Sequence, residues 1–394
     1  MHETGIEGYY AIRDGKKLYY GYTTGTCAAA AAKAAAMMLA TGRVVPYVDI
    51  LTPKGIALNL EVLEPELAPR HARCAIKKYS GDDPDVTNGV LVYADVTLTE
   101  TPGVTVDGGE GVGRVTKPGL KQAIGEAAIN PVPLRMIREA AEGVAEDYGI
   151  TAGLKVVVSI PAGVELAKRT FNPRLGIVGG ISVLGTSGIV EPMSEAALTE
   201  SIGLELRQKY ALGCRRIIIA PGNYGADFIR SLCHVEETEL VKCSNFIGQT
   251  IDMAVSAGYG EMLFISHIGK AIKLAGGIMN THSREADSRA ELMAACALRA
   301  GADAETARRL LDCLTTDEML NILQETGLLE ATMKIAGERI DYYLNYRAKG
   351  QLTIGAAVFS NETGMLCTTG PAEAWLAELK EKEQHILNDT EGQS

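Results

Sequence analysis

The first half of the chain mixes alternating and helical patterns of apolar residues. Helical spacing behind a pair of prolines predicts a helix that runs to about Tyr148. Apolar and β-branched residues at strand length predict strands at 44–53, 55–64, 72–80, 89–100 and 154–163. Strands and helices that follow one another in no strict order favour an α+β domain.

The pattern changes after about Pro173. Short apolar strands now alternate with helices, at 176–185, 214–220, 239–243 and 261–267. This alternation predicts a parallel sheet that is buried on both faces and connected by crossover helices. Several helices follow Asp287, with one more strand at 352–359. The predicted organisation is an α+β domain over 1–175, an α/β domain over 176–380 and a charged, fraying tail over 381–394.

Length, charge and cysteine content limit the classes of protein to which the chain can belong. At 394 residues the chain exceeds one typical core. Its net charge of 38 − 49 = −11 argues against a nucleic-acid partner, although a pocket can be locally basic. No apolar run is long enough to span a bilayer, and the eight cysteines are scattered. We therefore expect a cytoplasmic protein with reduced thiols and without a membrane partner.

The stretch GYTTGTCAAAAAKAAAMML, residues 21–39, predicts a helix from about Cys27 to Leu39 with Thr24 or Thr26 as N-cap. Two interpretations are open. The helix can be an ordinary core helix that packs tightly through small side chains. Alternatively, the small side chains let a flat ligand approach, and the helix N-terminus offers its amides to an anion. The residues alone favour the structural interpretation.

Four loops follow the predicted parallel strands, where ligands of α/β sheets bind. All four contain glycine and small polar residues, which favours a nucleoside-bearing cofactor at this edge. A valine at Gly188 is expected to impair cofactor binding and leave the fold intact. Glu191 is equally suited to accept from ribose hydroxyls or to face a helix dipole. The candidate cofactor-binding residues are Gly185, Thr186, Ser187, Gly188, Glu191, Gly222, Asn223, Gly225, Ser244 and Asn245.

The segment 266–289, SHIGKAIKLAGGIMNTHSREADSR, has the highest density of polar residues. Lys270 is a candidate anion holder, whereas Lys273 can equally be a solvated surface residue. A metal site at His267, His282 and Asp287 is not favoured, because the spacing matches no known ligand pattern, and we expect no protein-bound metal.

The glycine-dense stretch 108–119, GGEGVGRVTKPG, fits neither of the standard phosphate-loop patterns. It predicts a substrate-facing or hairpin loop. Arg114 and Lys117 in it can hold carboxylates, or they can be ordinary exposed charges.

Several long phrases resemble one family. TTGTCAAAAAKAA, GVGRVTKPGL, INPVP, FNPRLGIVGGISVLGTSGIVEPMS, CSNFIG and HIGKAIKLAGGIMNTHS are similar to the cobalt-precorrin-5B C1-methyltransferase family, CbiD. The resemblance runs from about Leu18 to Pro371. Two positions depart from it: Ala127 and Leu134 stand where proline and arginine are expected. If that arginine contacts substrate, Arg135 or Arg138 must replace it.

The resemblance implies an enzyme of anaerobic cobalamin biosynthesis. It would transfer a methyl group from S-adenosylmethionine to C1 of cobalt-precorrin-5B, giving cobalt-precorrin-6A, with the cobalt belonging to the substrate. It also implies a first domain similar to the ribosomal S5 second domain and an α/β second domain. The first would face the corrinoid and the second would face S-adenosylmethionine.

The resemblance also moves the opening helix towards the functional interpretation. Its small residues from Cys27 to Ala32 would lie against the flat corrinoid. His267 and His282 are the candidate catalytic residues because of their pKa range. Donors and cations around the substrate would be Thr23, Thr24, Gly25, Thr26, Arg114, Lys117, Arg174 and Lys270.

Two other classes of function are also considered. TTGTCAA before a helix would suit a GHMP-like small-metabolite kinase, although the usual glycine- and serine-rich run is missing. A non-catalytic corrinoid carrier would need a pocket but would leave the cofactor-like loops unexplained. A homo-oligomer is compatible with each of these functions.

Overall fold

The computed structural model describes residues 3–13, 15–170, 172–233, 235 and 239–391. The chain forms two compact units, which divide between Glu195 and Ala196. Each unit combines helices with strands, and the sheets include parallel and antiparallel pairs, so the coarse α/β expectation is confirmed. The finer likeness of the first unit to the ribosomal S5 second domain stays a prediction.

The described elements of the first unit are, in chain order, β1 (Tyr10–Arg13), β2 (Lys16–Tyr19), β3 (Gly21–Tyr22), α1 (Thr24–Thr41), β4 (Tyr47–Leu51), β5 (Ala57–Glu61), β6 (Leu63–Ala68), β7 (His71–Lys77), β8 (Leu91–Thr99), β9 (Val104–Gly108), β10 (Gly111–Val112), β11 (Arg114–Val115), α2 (Pro131–Asp147), β12 (Gly153–Ser159), α3 (Gly163–Ala167), β13 (Ile177–Val178), β14 (Gly180–Ile181) and β15 (Ile189–Val190). The strands and the helix predicted between 44 and 163 are therefore confirmed.

The main sheet of this unit has the strand order β6-β7-β8-β12-β9. It is antiparallel except for the parallel pair β9 and β12. Alternate residues of β8, namely Val92, Ala94 and Val96, are fully buried on one face. Helix α1 packs across β7 and β8 on that face, and α2 packs against α1.

Helix α1 begins three residues earlier than its sequence predicts. Thr23, rather than Thr24 or Thr26, is the N-cap: its backbone is extended and its Oγ1 accepts a hydrogen bond from the amide of Thr26 at 3.2 Å. At the other end Gly42 adopts the left-handed conformation, and its amide bonds to the carbonyl of Met38.

The alanine run serves the core. Residues 27–32 and 34–36 have no exposed surface. The helix lies so close to the sheet that Cys74 Sγ on β7 donates to the carbonyl of Ala31 at 3.3 Å. The expectation that Cys27 to Ala32 face a flat ligand is wrong, because the unit's own sheet and α2 cover these residues.

The strand predicted at 176–185 does not join the parallel sheet. Within this stretch β13 pairs with β11, and β14 pairs with β10. β15 then pairs with β3 next to the start of α1. These pairings place residues 176–190 in the first unit, so the two units divide twenty residues later than the change of pattern near 175 suggests.

The described elements of the second unit are α4 (Glu195–Ala211), β16 (Arg216–Ala220), α5 (Asn223–Leu232), β17 (Leu240–Lys242), α6 (Ile247–Ala257), β18 (Glu261–His267), α7 (Ile268–Leu274), α8 (Arg289–Arg299), α9 (Ala304–Leu311), α10 (Thr316–Glu325), α11 (Leu329–Ala348), β19 (Thr353–Ser360), β20 (Gly364–Thr369) and α12 (Ala372–Glu391). The helix α12 continues into the segment that was expected to fray, and residues 392–394 of that tail lie outside the described residues. Among the described helices, none is long and apolar enough to cross a membrane.

The second sheet has the order β17-β16-β18-β19-β20. Its first four strands are parallel, as predicted, and β20 is an added antiparallel edge strand. Both faces are covered. On β16, Ile217 and Ile219 face the core formed with α6, α7, α8 and α11, whereas Ile218 and Ala220 face the core formed with α5 and α12. Continuous apolar strands follow from this two-sided burial.

The backbone of Gly188 connects the segment before β15 to the start of α1 through hydrogen bonds. Its carbonyl accepts from the amide of Thr23 at 3.0 Å and from Thr26 Oγ1 at 2.6 Å. Its φ is +76°, and an added Cβ would lie 2.9 Å from atoms of Thr26, Thr52 and Pro53. Only glycine fits here, for reasons of backbone conformation and packing.

We predict that Gly188→Val destabilises the first unit, which corrects the expectation that it leaves the fold intact. The left-handed backbone alone costs a non-glycine residue about 1–3 kcal/mol, and the steric contacts add to this. Thermal denaturation of the full chain measures the loss. Gly143→Ala is the control: it lies inside α2 with open space around it, so its melting temperature stays equal or rises. Equal melting temperatures for wild type and Gly188→Val would contradict the prediction.

Candidate active site

The second sheet has a crevice between the carboxyl ends of β16 and β18. These strands are neighbours, but the helices that follow them cover opposite faces. In α5, Ala226 and Ile229 pack with α12, whereas Ile268 and Ile272 of α7 pack with α8 and α11. The two helices therefore diverge from the strand ends, and such a switch point is where open α/β sheets bind ligands.

A cavity of about 630 Å³ lies at this edge. The strand ends and the loops that follow them contribute Pro221, Asn245, His267 and Asn361 to its lining. Among the other lining residues are Lys270 on α7 and Asp317 on α10. Its size is in the range of small-molecule sites.

His267 ends β18 and caps α7. Its Nδ1 accepts a hydrogen bond from the amide of Gly269 at 3.1 Å, so in the neutral ring the proton is on Nε2. The ring contacts Phe359 edge-on, with centroids 5.6 Å apart. Burial lowers the pKa of His267 below the ordinary 6.5, and the charge of Asp317 opposes this only in part. At neutral pH His267 is therefore an uncharged donor through Nε2.

His282 lies at the cavity in an exposed position. Its Nδ1 also accepts from a backbone amide two residues later, that of Arg284, at 3.1 Å. The preceding residue, Thr281, is held by an amide hydrogen bond to the carbonyl of Asn245 at 3.1 Å. The structure brings both predicted histidines to one cavity, and their catalytic roles stay predictions.

The two lysines of α7 differ in their surroundings. Lys273 is 3% exposed, so the interpretation as a solvated surface residue is wrong. Its Nζ donates to the carbonyls of Thr281 at 3.2 Å and Ala286 at 2.8 Å, which fixes one wall of the cavity. Lys270 is half-buried, its Nζ donates to the carbonyl of Pro221 at 3.2 Å, and burial lowers its pKa.

The loops after β16 and β17 lie at the predicted edge. Asn223 Oδ1 accepts from Lys242 Nζ at 2.8 Å. Gly222 has a φ of +97° and precedes α5. Gly225 is glycine for a packing reason, because an added Cβ would lie 2.7 Å from the carbonyl oxygen of Ile265 on β18. The cofactor role predicted for Gly222, Asn223, Gly225, Ser244 and Asn245 stays a prediction.

The loop 185–191 is not part of this edge. It precedes and includes β15 of the first unit, so the reasoning that placed it beyond a parallel strand is wrong. Gly185 faces the side chain of Thr23, and Glu191 pairs with Lys54 and accepts from Tyr20 Oη at 3.4 Å. These contacts give the loop a structural role within the first unit, and the cofactor role of Gly185, Thr186, Ser187, Gly188 and Glu191 stays a prediction.

The threonines at the start of α1 are buried. Besides the contacts of Thr23 and Thr26, Thr24 Oγ1 accepts from the amide of Leu184 at 3.1 Å, and the amide of Gly25 donates to the Leu184 carbonyl at 3.1 Å. These bonds support the structural interpretation of the opening stretch. A substrate contact for Thr23, Thr24, Gly25 and Thr26 stays a prediction.

The cations predicted to hold substrate carboxylates in the first unit, Arg114, Lys117 and Arg174, lie on or next to the paired strands β11 and β13. β11 pairs with β13, and the stem of Lys117 lies where a side chain at Gly176 would be, two residues from Arg174. Arg114 is engaged by Asp107 through two hydrogen bonds of 2.7 and 3.1 Å, which raises its pKa further. Of the arginines proposed to compensate for Leu134, Arg135 forms an exposed pair with Glu139 at 3.8 Å.

No group of three His, Cys, Asp or Glu side chains in the described part of the chain could hold a metal ion. Asp287, considered as a ligand from the sequence, is held by Arg289 through bonds of 2.6 and 3.0 Å. This pairing lowers the pKa of Asp287.

Comparison with known proteins identifies the family. The CbiD model matches residues 11–192, and the model of the CbiD C-terminal domain matches residues 280–370. A cobalt-precorrin-5B C(1)-methyltransferase of Ruminiclostridium cellulolyticum is 48% identical over 89% of this chain and 91% of its own. The chain belongs to the CbiD family.

Two further CbiD relatives are similar to it. A cobalt-precorrin-5B C(1)-methyltransferase of Thermoanaerobacter sp. is 45% identical over 93% of this chain and 99% of its own. A crystal structure of the cobalamin biosynthesis protein CbiD from Archaeoglobus fulgidus is 28% identical, covers 72% of this chain and 89% of its own, and has a TM-score of 0.39. The stretch between the two matched CbiD domains, 193–279, carries β16, β17 and β18.

Sequence reasoning did not select several residues that line the cavity of this CbiD protein, among them Tyr224, Asn361 and Asp317. Tyr224 and Asn361 follow β16 and β19, so their position after predicted strands could have indicated them. Asp317 carried no such signal, because TTDE is an ordinary helix start, and Thr315 and Glu318 do form a capping box. Yet Asp317 Oδ1 is buried and has no hydrogen-bond partner among the described residues.

We predict that His267→Asn keeps the cap of α7 and removes a pH dependence of stability. The folded-state pKa of His267 lies below the ordinary 6.5, so the unfolded chain takes up this proton first. Its contribution is complete above pH 6.5 and is lost as the pH falls through the folded-state value. Thermal denaturation between pH 7.5 and 5 measures the slope, which should be shallower in His267→Asn than in wild type.

His267→Ala is the companion variant for this experiment. It loses the acceptor for the Gly269 amide and should be about 1 kcal/mol less stable than wild type above pH 6.5, a difference that shrinks at low pH because protonated His267 cannot accept either. Identical pH slopes in wild type and His267→Asn would show that the pKa of His267 is not lowered by folding. Full stability of His267→Ala above pH 6.5 would show that its side chain is not a cap.

Proposed function

We propose that this CbiD protein is a cobalt-precorrin-5B C1-methyltransferase that uses S-adenosylmethionine. The observation that carries the function is its 48% identity, over 89% of its length, to a relative with that name. A kinase and a non-catalytic carrier are not favoured, since the curated relatives are named as methyltransferases. The methyl donor, the placement of both ligands and the residue roles are part of the proposal.

The cavity of the second unit is the proposed site of S-adenosylmethionine. Its volume of about 630 Å³ suits a ligand of that size, and it lies at the switch point of a parallel sheet. The residues also fit the ligand's chemistry. Asp317 offers an unpartnered oxygen to a cation or hydroxyl, and Lys270 offers an ammonium to a carboxylate.

When bound, S-adenosylmethionine would supply a methyl group on a sulfonium, which passes to C1 of the corrinoid as the carbon–sulfur bond breaks and the new carbon–carbon bond forms. The chain's task is then to orient and to exclude water. Well-oriented reactants can lower a barrier by about 7–11 kcal/mol without an enzyme nucleophile. Rigid anchors at the cavity, such as His267 on its cap and Lys273 in its wall, support this role.

His267 is proposed as a hydrogen-bond donor rather than a general base. Its Nδ1 is occupied by the Gly269 amide and its Nε2 carries the proton in the neutral ring. The same tautomer follows for His282 from its bond to the Arg284 amide. In the neutral ring, each histidine therefore offers its Nε2–H to a ligand.

The corrinoid is proposed to face the first unit. Its carboxylates need cations, and Lys117 packs against Gly176, which follows Arg174 by two residues. Arg114 would contribute only by sharing its contacts with Asp107. The flat macrocycle is not proposed to lie on the alanines of α1, which the core already covers.

Incubation of the full chain with methyl-labelled S-adenosylmethionine and cobalt-precorrin-5B tests the function. We expect label in the corrinoid and one S-adenosylhomocysteine for each methyl transferred. Label that stays with the donor while the corrinoid binds would indicate a carrier. Calorimetry should detect S-adenosylhomocysteine and not ATP, and binding of ATP alone would indicate a kinase.

A further inference from the structure

The cavity of the second unit contains one acid and one base that lack an ionic partner. Asp317 Oδ1 is buried without a hydrogen bond among the described residues. Lys270 donates only to a carbonyl, that of Pro221, and no carboxylate lies within ion-pair distance in the part of the chain that the structure describes. Burying such groups is unfavourable unless something satisfies them.

The other charges at this cavity are already satisfied. Lys273 is held by two carbonyls and lies 3.8 Å from Asp287. Arg289 binds both oxygens of Asp287. Asp317 and Lys270 therefore stand apart from the internal network, and they line the cavity from two different helices, α10 and α7.

An unpartnered acid restricts the kind of ligand. Asp317 would repel a polycarboxylate corrinoid or a nucleotide phosphate, because both carry negative charges like its own. A ligand with one cationic and one anionic group would satisfy both residues. An α-amino acid in its zwitterionic form is such a ligand.

We propose that Asp317 and Lys270 recognise the amino-acid end of the methyl donor, with Asp317 accepting from its ammonium and Lys270 donating to its carboxylate. This rests on the proposed function and assigns Lys270 to the donor rather than to the corrinoid. His267 lies within reach of the charge of Asp317, and its Nε2–H is a further donor at this end of the cavity.

Three ligands and two variants test the proposal by calorimetry on the full chain. S-adenosylhomocysteine has both charged groups, its decarboxylated analogue has only the ammonium, and 5′-methylthioadenosine has neither. We expect Asp317→Asn to weaken binding of S-adenosylhomocysteine and of the decarboxylated analogue at least tenfold. We expect Lys270→Met to weaken only S-adenosylhomocysteine to that extent. Binding of 5′-methylthioadenosine should stay within twofold in both variants.

Asp227→Asn on α5 and Lys334→Met on α11 make the same chemical changes at exposed positions and should leave all three affinities unchanged. Melting temperatures of all four variants monitor folding, and Asp317→Asn should be as stable as wild type because the amide keeps the size of the side chain and no hydrogen bond to Oδ1 is lost.

Equal losses for all three ligands in the Asp317 and Lys270 variants would place these residues at the adenosine, and unchanged affinities would place the ligand elsewhere. Either result overturns the inference while the methyltransferase function stands. If wild type binds none of the three ligands, the placement of the donor fails together with the inference.

Discussion

Two neighbouring strands, β16 and β18, send their following helices to opposite faces of one sheet, and this constraint creates the site. The two helices diverge above the ends of the strands and leave a cavity between them. Polar residues can therefore stand there without being buried in a core. The apolar alternation of β16, with Ile217 and Ile218 on opposite faces, keeps both helices in place. The position of the cavity follows from chain topology before any particular side chain is considered.

Hydrogen bonds to the backbone then fix the positions of the polar side chains that line the cavity. The Gly269 amide fixes the tautomer of His267, and two carbonyls fix Lys273. Groups anchored in this way do not need to be ordered by a ligand, which reduces the entropic cost of binding. Methyl transfer from a sulfonium mainly requires that the two reactants are oriented and that water is excluded. Rigid polar side chains in a crevice are suited to that task.

The sequence was informative where periodicity and topology decide the structure. Apolar runs such as ELVKC and EMLFISH alternate with helices and predict two-sided parallel strands, so Asn245 after the first run and His267 at the end of the second were placed at the correct edge. The prediction that 176–185 joins the parallel sheet was wrong, because a short apolar run does not reveal its pairing partner. Here the partners are β10 and β11. Asp317 was not recognised as a cavity residue for a different reason. A carboxylate at the start of a helix looks the same in sequence whether it serves the helix or a cavity.

The fully covered alanine helix has a mechanical consequence. Only small side chains, the alanine methyl groups of α1 and the thiol of Cys74, lie between the backbone of Ala31 and that of β7, so there is no layer of long, flexible side chains to absorb a displacement. Any push on the first turn of α1 must carry the strands beneath it along. The segment 184–188, tied to that turn by hydrogen bonds, moves with it as one piece. Within the first unit, α1 is therefore a rigid core element and not an adaptable surface of a binding site.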